Sequence, residues 1–216
     1  MNWDLIIFDC DGVLVDSEPI QSRLFYEMLV DIGWTLGYEE TVKTFIGCTM
    51  ADCLEIAEQR RGRALPSDFE DRLQARTFAA FEQELRPVPG VIEALNRITA
   101  PVCVASSGSL KKIRKTLGLA GLLPRFENRM FSATQVERGK PCPDLFLFAS
   151  RELSVAPAAC AVIEDSLAGV KAGVAAGMTV FGYVPSMSSV ALKEAGARVF
   201  SDMKMLPDLI ADDDTA

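Results

Sequence analysis

Two aspartates one residue apart close an apolar run, Leu5-Ile6-Ile7-Phe8-Asp9-Cys10-Asp11-Gly12. Side chains alternate along a strand, so Asp9 and Asp11 point to one side and Cys10 to the other. Two like charges this close repel unless something positive sits between them. Gly12 follows, where the chain must bend and where a backbone can approach a ligand closely. In isolation Asp-x-Asp-Gly reads equally well as a loop start with two solvated acids and a turn glycine. The apolar run before it favours a site, because ligands of open α/β sheets sit at the carboxyl ends of strands.

Three further stretches carry groups of the same kind. Val102-Cys103-Val104-Ala105 ends in Ser106-Ser107-Gly108-Ser109 and runs into a helical pattern. Hydroxyls and free amides at a helix N-terminus make an anion site, though alone they are a helix cap. In Gly139-Lys140-Pro141 the lysine is held in a stiff, extended setting, though alone it is one more solvated lysine. Ala161-Val162-Ile163 ends in Glu164-Asp165, as the first strand ends in Asp9 and Asp11. Four separate elements thus deliver acids, hydroxyls and a lysine to one sheet edge. The acids need a cation, and Mg2+ with one or two carboxylates, waters and a substrate phosphate suits them. The hydroxyls, amides and Lys140 suit a phosphate.

Composition removes several rivals. The chain has no histidine, which excludes a Ser-His-Asp triad, a Cys-His pair and every His-ligated metal. The six cysteines, at 10, 48, 53, 103, 142 and 160, form no Cys-x-x-Cys pair. No basic region followed by a long apolar run opens the chain, so reduced thiols and a cytoplasmic location are expected. No apolar run approaches the length of a membrane span. A net charge of −8 argues against nucleic acid as a partner.

The elements that position these groups follow from periodicity. Beyond Asp16, Ser17 is the expected cap of a helix carrying Leu24, Phe25, Met28, Leu29 and Ile32. Further helices are expected over 38–45, from about 49, and after Ser67, with no strand signal from 18 to 85. Leu85-Arg86-Pro87-Val88-Pro89-Gly90 marks a boundary. Beyond it strands alternate with helices, including one from Leu110 that Gly118 should stop. Alternation of this kind means βαβ units and a parallel sheet. The expectation is a doubly wound parallel α/β core, 1–16 and 87–216, with an inserted α-helical cap domain at 17–86.

With these residues in place, the chain resembles the haloacid dehalogenase superfamily, in the branch of β-phosphoglucomutase and the small sugar-phosphate phosphatases. The resemblance lies in Asp9-Cys10-Asp11-Gly12-Val13-Leu14-Val15-Asp16-Ser17-Glu18, Ser106, Lys140-Pro141-x-Pro143-Asp144 and Glu164-Asp165-Ser166-x-x-Gly169. It implies Asp9 as nucleophile and Asp11 as general acid and base. It implies that Gly12, Ser106, Ser107 and Lys140 hold the phosphoryl group. Mg2+ would bind Asp9, the Asp11 carbonyl and Asp165, with Glu164 ligating directly or through water.

Departures from the pattern choose among the branch members. Dehalogenases of the superfamily lack the second aspartate, because a halide leaves without a proton. Phosphonate hydrolases use a cap lysine, and Lys43, the only lysine of the insert, sits near a helix end where solvation is expected. The mutase holds a second phosphate with the arginine of Gly-Val-Ser-Arg, where this chain reads Gly47-Cys48-Thr49-Met50. It also has a histidine where Gln21 stands here. Both departures favour hydrolysis, leaving a mutase, or a phosphate-ester binding protein without turnover, as alternatives. Segments such as Ser22-Arg23 and 98–104 resemble bacterial sugar-phosphate and 6-phosphogluconate phosphatases, which implies a small phosphorylated sugar or sugar acid as substrate. Gln21, Gly47, Cys48, Thr49 and Met50 are the expected selectors.

Overall fold

The structure, a computed structural model, describes residues 3–45, 48, 50–185 and 190–211. The chain starts in strand β1 (Leu5–Phe8), all four of whose side chains are buried. It then makes a helical excursion through α1 (Glu18–Asp31), α2 (Tyr38–Phe45), α3 (Met50–Arg61) and α4 (Phe69–Glu84). After α5 (Val91–Arg97) come β2 (Val102–Ser106), α6 (Leu110–Leu119), α7 (Leu123–Phe126), β3 (Met130–Ser132) and α8 (Asp144–Glu152). Then follow β4 (Cys160–Glu164), α9 (Leu167–Ala175), β5 (Thr179–Tyr183), α10 (Val190–Glu194), β6 (Arg198–Phe200) and α11 (Leu206–Ala211). Two compact units result, Met1–Asp16 with Arg86–Ala216 and, separately, Ser17–Leu85.

The first unit is a six-stranded sheet in the order β3-β2-β1-β4-β5-β6, every pair parallel. Uninterrupted apolar runs such as Leu-Ile-Ile-Phe suit strands covered on both faces. On one face Leu5, Ile7, Cys103, Ala105 and Val162 pack with Leu145, Phe146 and Val170. On β1, Phe8 meets Phe126 of α7 edge to face, with ring centroids 6.2 Å apart. Phe8 lies level with Val104 on β2 and Ile163 on β4. The residues after Phe8 and Ile163 therefore emerge at one height, where the strand order turns from β1 to β4, the place where open α/β sheets bind ligands.

The second unit has its own core. Phe25 of α1 stacks edge to face on Phe45 and Phe69 at 5.0 and 6.0 Å. Trp34 donates from its indole to Thr41 at 2.8 Å, and Arg23 of α1 pairs with Glu84 of α4 at 2.8 Å. Where the chain leaves and re-enters the first unit, Asp16 N–H donates to the Arg86 carbonyl at 2.9 Å and Val15 bridges Pro87.

Several local expectations are corrected. Ser17 occupies the expected cap position of α1 but makes no side-chain cap bond; its hydroxyl accepts from Gln21 Nε2 at 3.0 Å. Asp68, not Ser67, occupies the cap position of α4. The α6 helix runs through Gly118 to Leu119, since one glycine costs a helix only about 1 kcal/mol.

Candidate active site

The carboxyl ends of β1, β2 and β4 converge on one buried lysine. Lys140, in the loop before α8, donates to Asp9 Oδ1 at 2.5 Å, to Glu164 Oε1 at 2.6 Å and to the Ala105 carbonyl at 3.0 Å. Its ammonium also sits 5.0 Å from the centre of the Phe146 ring. The lysine read from sequence as a possible surface residue has 4% of its side chain exposed. Burial alone would lower its ammonium, but Asp9 and Glu164 outweigh burial and hold it above the usual lysine range. Burial pushes the Asp9 carboxyl up to about 7, against the pull of Lys140.

Glu164 is held from its other side. Its Oε2 accepts from the amides of Asp165 and Ser166 at 2.9 and 2.8 Å and from the Ser166 hydroxyl at 2.9 Å. The same hydroxyl accepts from Gly169 N–H at 3.0 Å, capping α9. A Cβ on Gly169 would lie 1.8 Å from the Glu164 carboxylate, so the carboxylate occupies space that only a glycine leaves. Both Glu164 oxygens thus face protein donors.

Beyond Asp9 the chain turns sharply. Gly12 has φ of 78°, and its N–H donates to the Val15 carbonyl at 2.8 Å. A Cβ there would meet Asp165 Oδ2 at 1.9 Å. The Asp165 carboxylate therefore rests against the Gly12 backbone, in the turn that follows β1. Cys10 faces away, as strand alternation requires, with its sulfur 3.6 Å from the Thr116 hydroxyl. Burial, reinforced by Asp11 and Asp9, pushes its thiol far above the usual range, so Cys10 is inert packing.

The β2 end contributes the hydroxyls. Ser106 is buried and its Oγ accepts from Gly108 N–H at 3.1 Å, while Ser132 Oγ donates to the Gly108 carbonyl at 2.7 Å. Ser107 is exposed in the same turn, and Ser109 caps α6 by accepting from Lys112 N–H at 3.3 Å. The Lys112 side chain then reaches back to Asp11 Oδ2 at 2.7 Å. Sequence reasoning missed this contact. The available signal was a lysine pair, Lys111 and Lys112, in the first turn of a helix, where the macrodipole disfavours cations.

Asp9, Asp11, Gly12, Ser106, Lys140, Glu164 and Asp165 are therefore brought together, with Ser107 at the rim. Asp9 and Asp165 would offer carboxylate oxygens, which fits a hard cation. Among the described residues no three acidic or sulfur side chains form a ready-made cage. The expected selectors belong to the helical unit. Gln21 is half-buried on α1, Cys48 is half-buried near the Thr44 carbonyl, and Met50 opens α3 with 42% exposure. Gly47 and Thr49 lie outside the described residues.

Comparison with known proteins gives a consistent set of matches. A family model described as haloacid dehalogenase-like hydrolase matches residues 3–177. Over 207 residues the chain is 33% identical to the 6-phosphogluconate phosphatase of Escherichia coli K12, spanning 95% of this chain and 94% of that protein. A haloacid dehalogenase-like protein of unknown function from Agrobacterium tumefaciens C58 superposes with a TM-score of 0.89 at 35% identity, over 97% of this chain and 98% of that one. A family hydrolase from Deinococcus radiodurans R1, solved with bound phosphate and sodium, gives 0.83 at 32% identity, over 98% and 96%.

Proposed function

Because the chain belongs to the haloacid dehalogenase-like hydrolases and is a phosphoric monoester hydrolase, we propose that it is a Mg2+-dependent phosphatase of small sugar phosphates or sugar-acid phosphates, such as 6-phosphogluconate. The observation that carries this reading is the division of two aspartates between two lysines. Asp9 lies buried against Lys140, and Asp11, two residues on, lies half-buried against Lys112. Neighbouring carboxyls in different surroundings can take different roles.

In this reading Asp9 attacks phosphorus in line, forming a Cγ-carboxylate oxygen to phosphorus bond as the ester oxygen leaves. Asp11 gives the leaving oxygen its proton. It then takes a proton from the water that attacks the aspartyl-phosphate, which releases phosphate and restores Asp9. Ser106, Ser107 and the amides around Gly12 and Gly108 receive the phosphoryl oxygens, and Lys140 offsets their charge. Asp9, Asp165 and the Asp11 carbonyl would hold Mg2+, which when bound neutralises charge on the transferring group. Glu164, with both oxygens taken by protein donors, is read as the anchor of Lys140 in place of the cation ligand expected from sequence.

The helical unit is read as a cap whose Gln21, Cys48 and Met50 region selects the ester. Methionine at position 50 cannot hold a second phosphate dianion, which favours hydrolysis over phosphosugar mutation. No described helix is long and apolar enough to cross a membrane, and the cysteines are unpaired. A cytoplasmic enzyme working on a diffusible ester accords with both.

The test is phosphate release from a panel of sugar phosphates, sugar-acid phosphates and nucleotides, with and without Mg2+, beside Asp9→Asn. Metal-dependent release that vanishes in the variant is expected. Undiminished release by Asp9→Asn would remove the covalent mechanism, and isomerisation of β-glucose 1-phosphate without hydrolysis would return the mutase reading.

A further inference from the structure

Lys112 belongs to none of the four stretches that first drew attention, yet it ends at the centre of the site. Its ammonium meets Asp11 Oδ2 at 2.7 Å, with 25% and 23% of the two side chains exposed. The partners are 101 residues apart in sequence, so the contact is made only by the fold.

The surroundings of Lys112 hold it in that place. Its backbone N–H donates to the Ser109 cap at 3.3 Å, and its carbonyl accepts from the Thr116 hydroxyl at 3.1 Å. Thr116 in turn touches Cys10, the residue between the two aspartates. The lysine stem lies beside Gly108, where a Cβ would stand 3.2 Å from Lys112 Cδ. The first turn of α6 is thereby tied to both the β1 end and the β2 end. A lysine confined this way gives up the reach of its flexible stem and acts as a fixed charge.

We propose that Lys112 is the positioning residue of Asp11, as Lys140 is of Asp9. The assignment rests on the phosphatase reading above. Asp11 has to serve two proton transfers on one phosphoryl centre, first to the leaving oxygen and then from water. Its carboxyl stands on the turn after β1, where a partner from another element can set its rotation. A charge-assisted bond to one oxygen does so. Small displacements of a reacting group are costly, on the order of 100-fold for about 1 Å.

The experiment compares K112M and K112R with wild type on two esters, a sugar phosphate and p-nitrophenyl phosphate. The sugar alkoxide needs a proton in order to leave, whereas p-nitrophenolate does not. For K112M on the sugar phosphate, kcat should fall roughly 10- to 100-fold. KM should stay within about twofold, the mark of an interaction made in the transition state. K112R should recover most of the loss. In single turnover, K112M should release p-nitrophenolate at close to the wild-type rate. Adding K112M to Asp11→Asn should cost little more than Asp11→Asn alone, since both changes act through one carboxyl.

Unchanged kcat with raised KM would make Lys112 a ligand of the substrate anion and overturn the proposal. Equal slowing of both esters in single turnover, or additive losses in the double variant, would also overturn it. Activity in wild type with any of these results leaves the phosphatase reading standing. Wild type inactive on both esters removes that reading and the role of Lys112 together.

Discussion

Lys140 Nζ lies 2.6 Å from Glu164 Oε1, with 4% and 1% of their side chains exposed. A buried charge pair stabilises little in net terms, but removing one partner strands the other. Glu164→Ala should lose roughly 3–5 kcal/mol of stability on that ground. Glu164→Gln keeps an oxygen for the Ser166 and Asp165 amides and should lose less. Urea unfolding of the two variants reads the difference, and equal losses would show that the charge on Glu164 is irrelevant to stability.

Gly169 offers a test in which two effects have opposite sign. Alanine normally strengthens a helix over glycine by about 1 kcal/mol. Here its Cβ would fall 1.8 Å from the Glu164 carboxylate, which is itself tied down by four donors. Gly169→Ala should therefore destabilise the protein, by about 1–3 kcal/mol, and slow turnover by shifting Lys140. A thermal unfolding midpoint at or above wild type would mean that Glu164 moves aside freely.

Metal-free protein should carry the signature of Asp9 in its pH dependence. Burial raises this carboxyl from 3.8 to about 7 despite Lys140. Between those values the folded state holds a proton that the unfolded state has lost. The Asp9 contribution to stability is thus complete at the acid end and fades as pH rises toward about 7. Lys140, held above the ordinary lysine range, contributes stability that is constant across this window, because lysine stays charged in both states there. Unfolding free energies of wild type and Asp9→Asn, compared from mildly acid to neutral pH in chelator, should converge or cross in that direction. A difference independent of pH would show that Asp9 is ionised throughout.

The strands and their acids were legible because parallel strands buried on both faces are written as continuous apolar runs. β1, β2 and β4 each end abruptly in a polar group, and those ends carry most of the site. What escaped was decided by contacts between distant elements. Lys112 looks like any lysine of a basic helix until its ammonium is seen against Asp11. Nor does the sequence show that Glu164 meets Lys140, Asp165 and Ser166. Details at the helix ends turn on local contacts. Ser17 spends its hydroxyl on Gln21, and Gly118 is one residue in a helix whose other contacts carry it onward. The four-residue helix Leu123–Phe126 is too short to show a period, yet it places Phe126 against Phe8.

The hydrogen bond from Asp16 to Arg86 also bears on how this chain came to be assembled. The backbone leaves and returns at adjacent points, so the sheet meets the helical unit as it would meet a hairpin turn. Closing a longer excursion costs little, about 0.6 kcal/mol per doubling of length, when its two ends are already side by side. Ile6 can pair with Val102 whatever lies between, provided that seam is kept. The segment between Asp16 and Arg86 is thus joined to the sheet through one narrow seam. On the proposed reading of the helical unit as selector, replacing the insert changes the ester accepted while β1, β2 and β4 stay untouched.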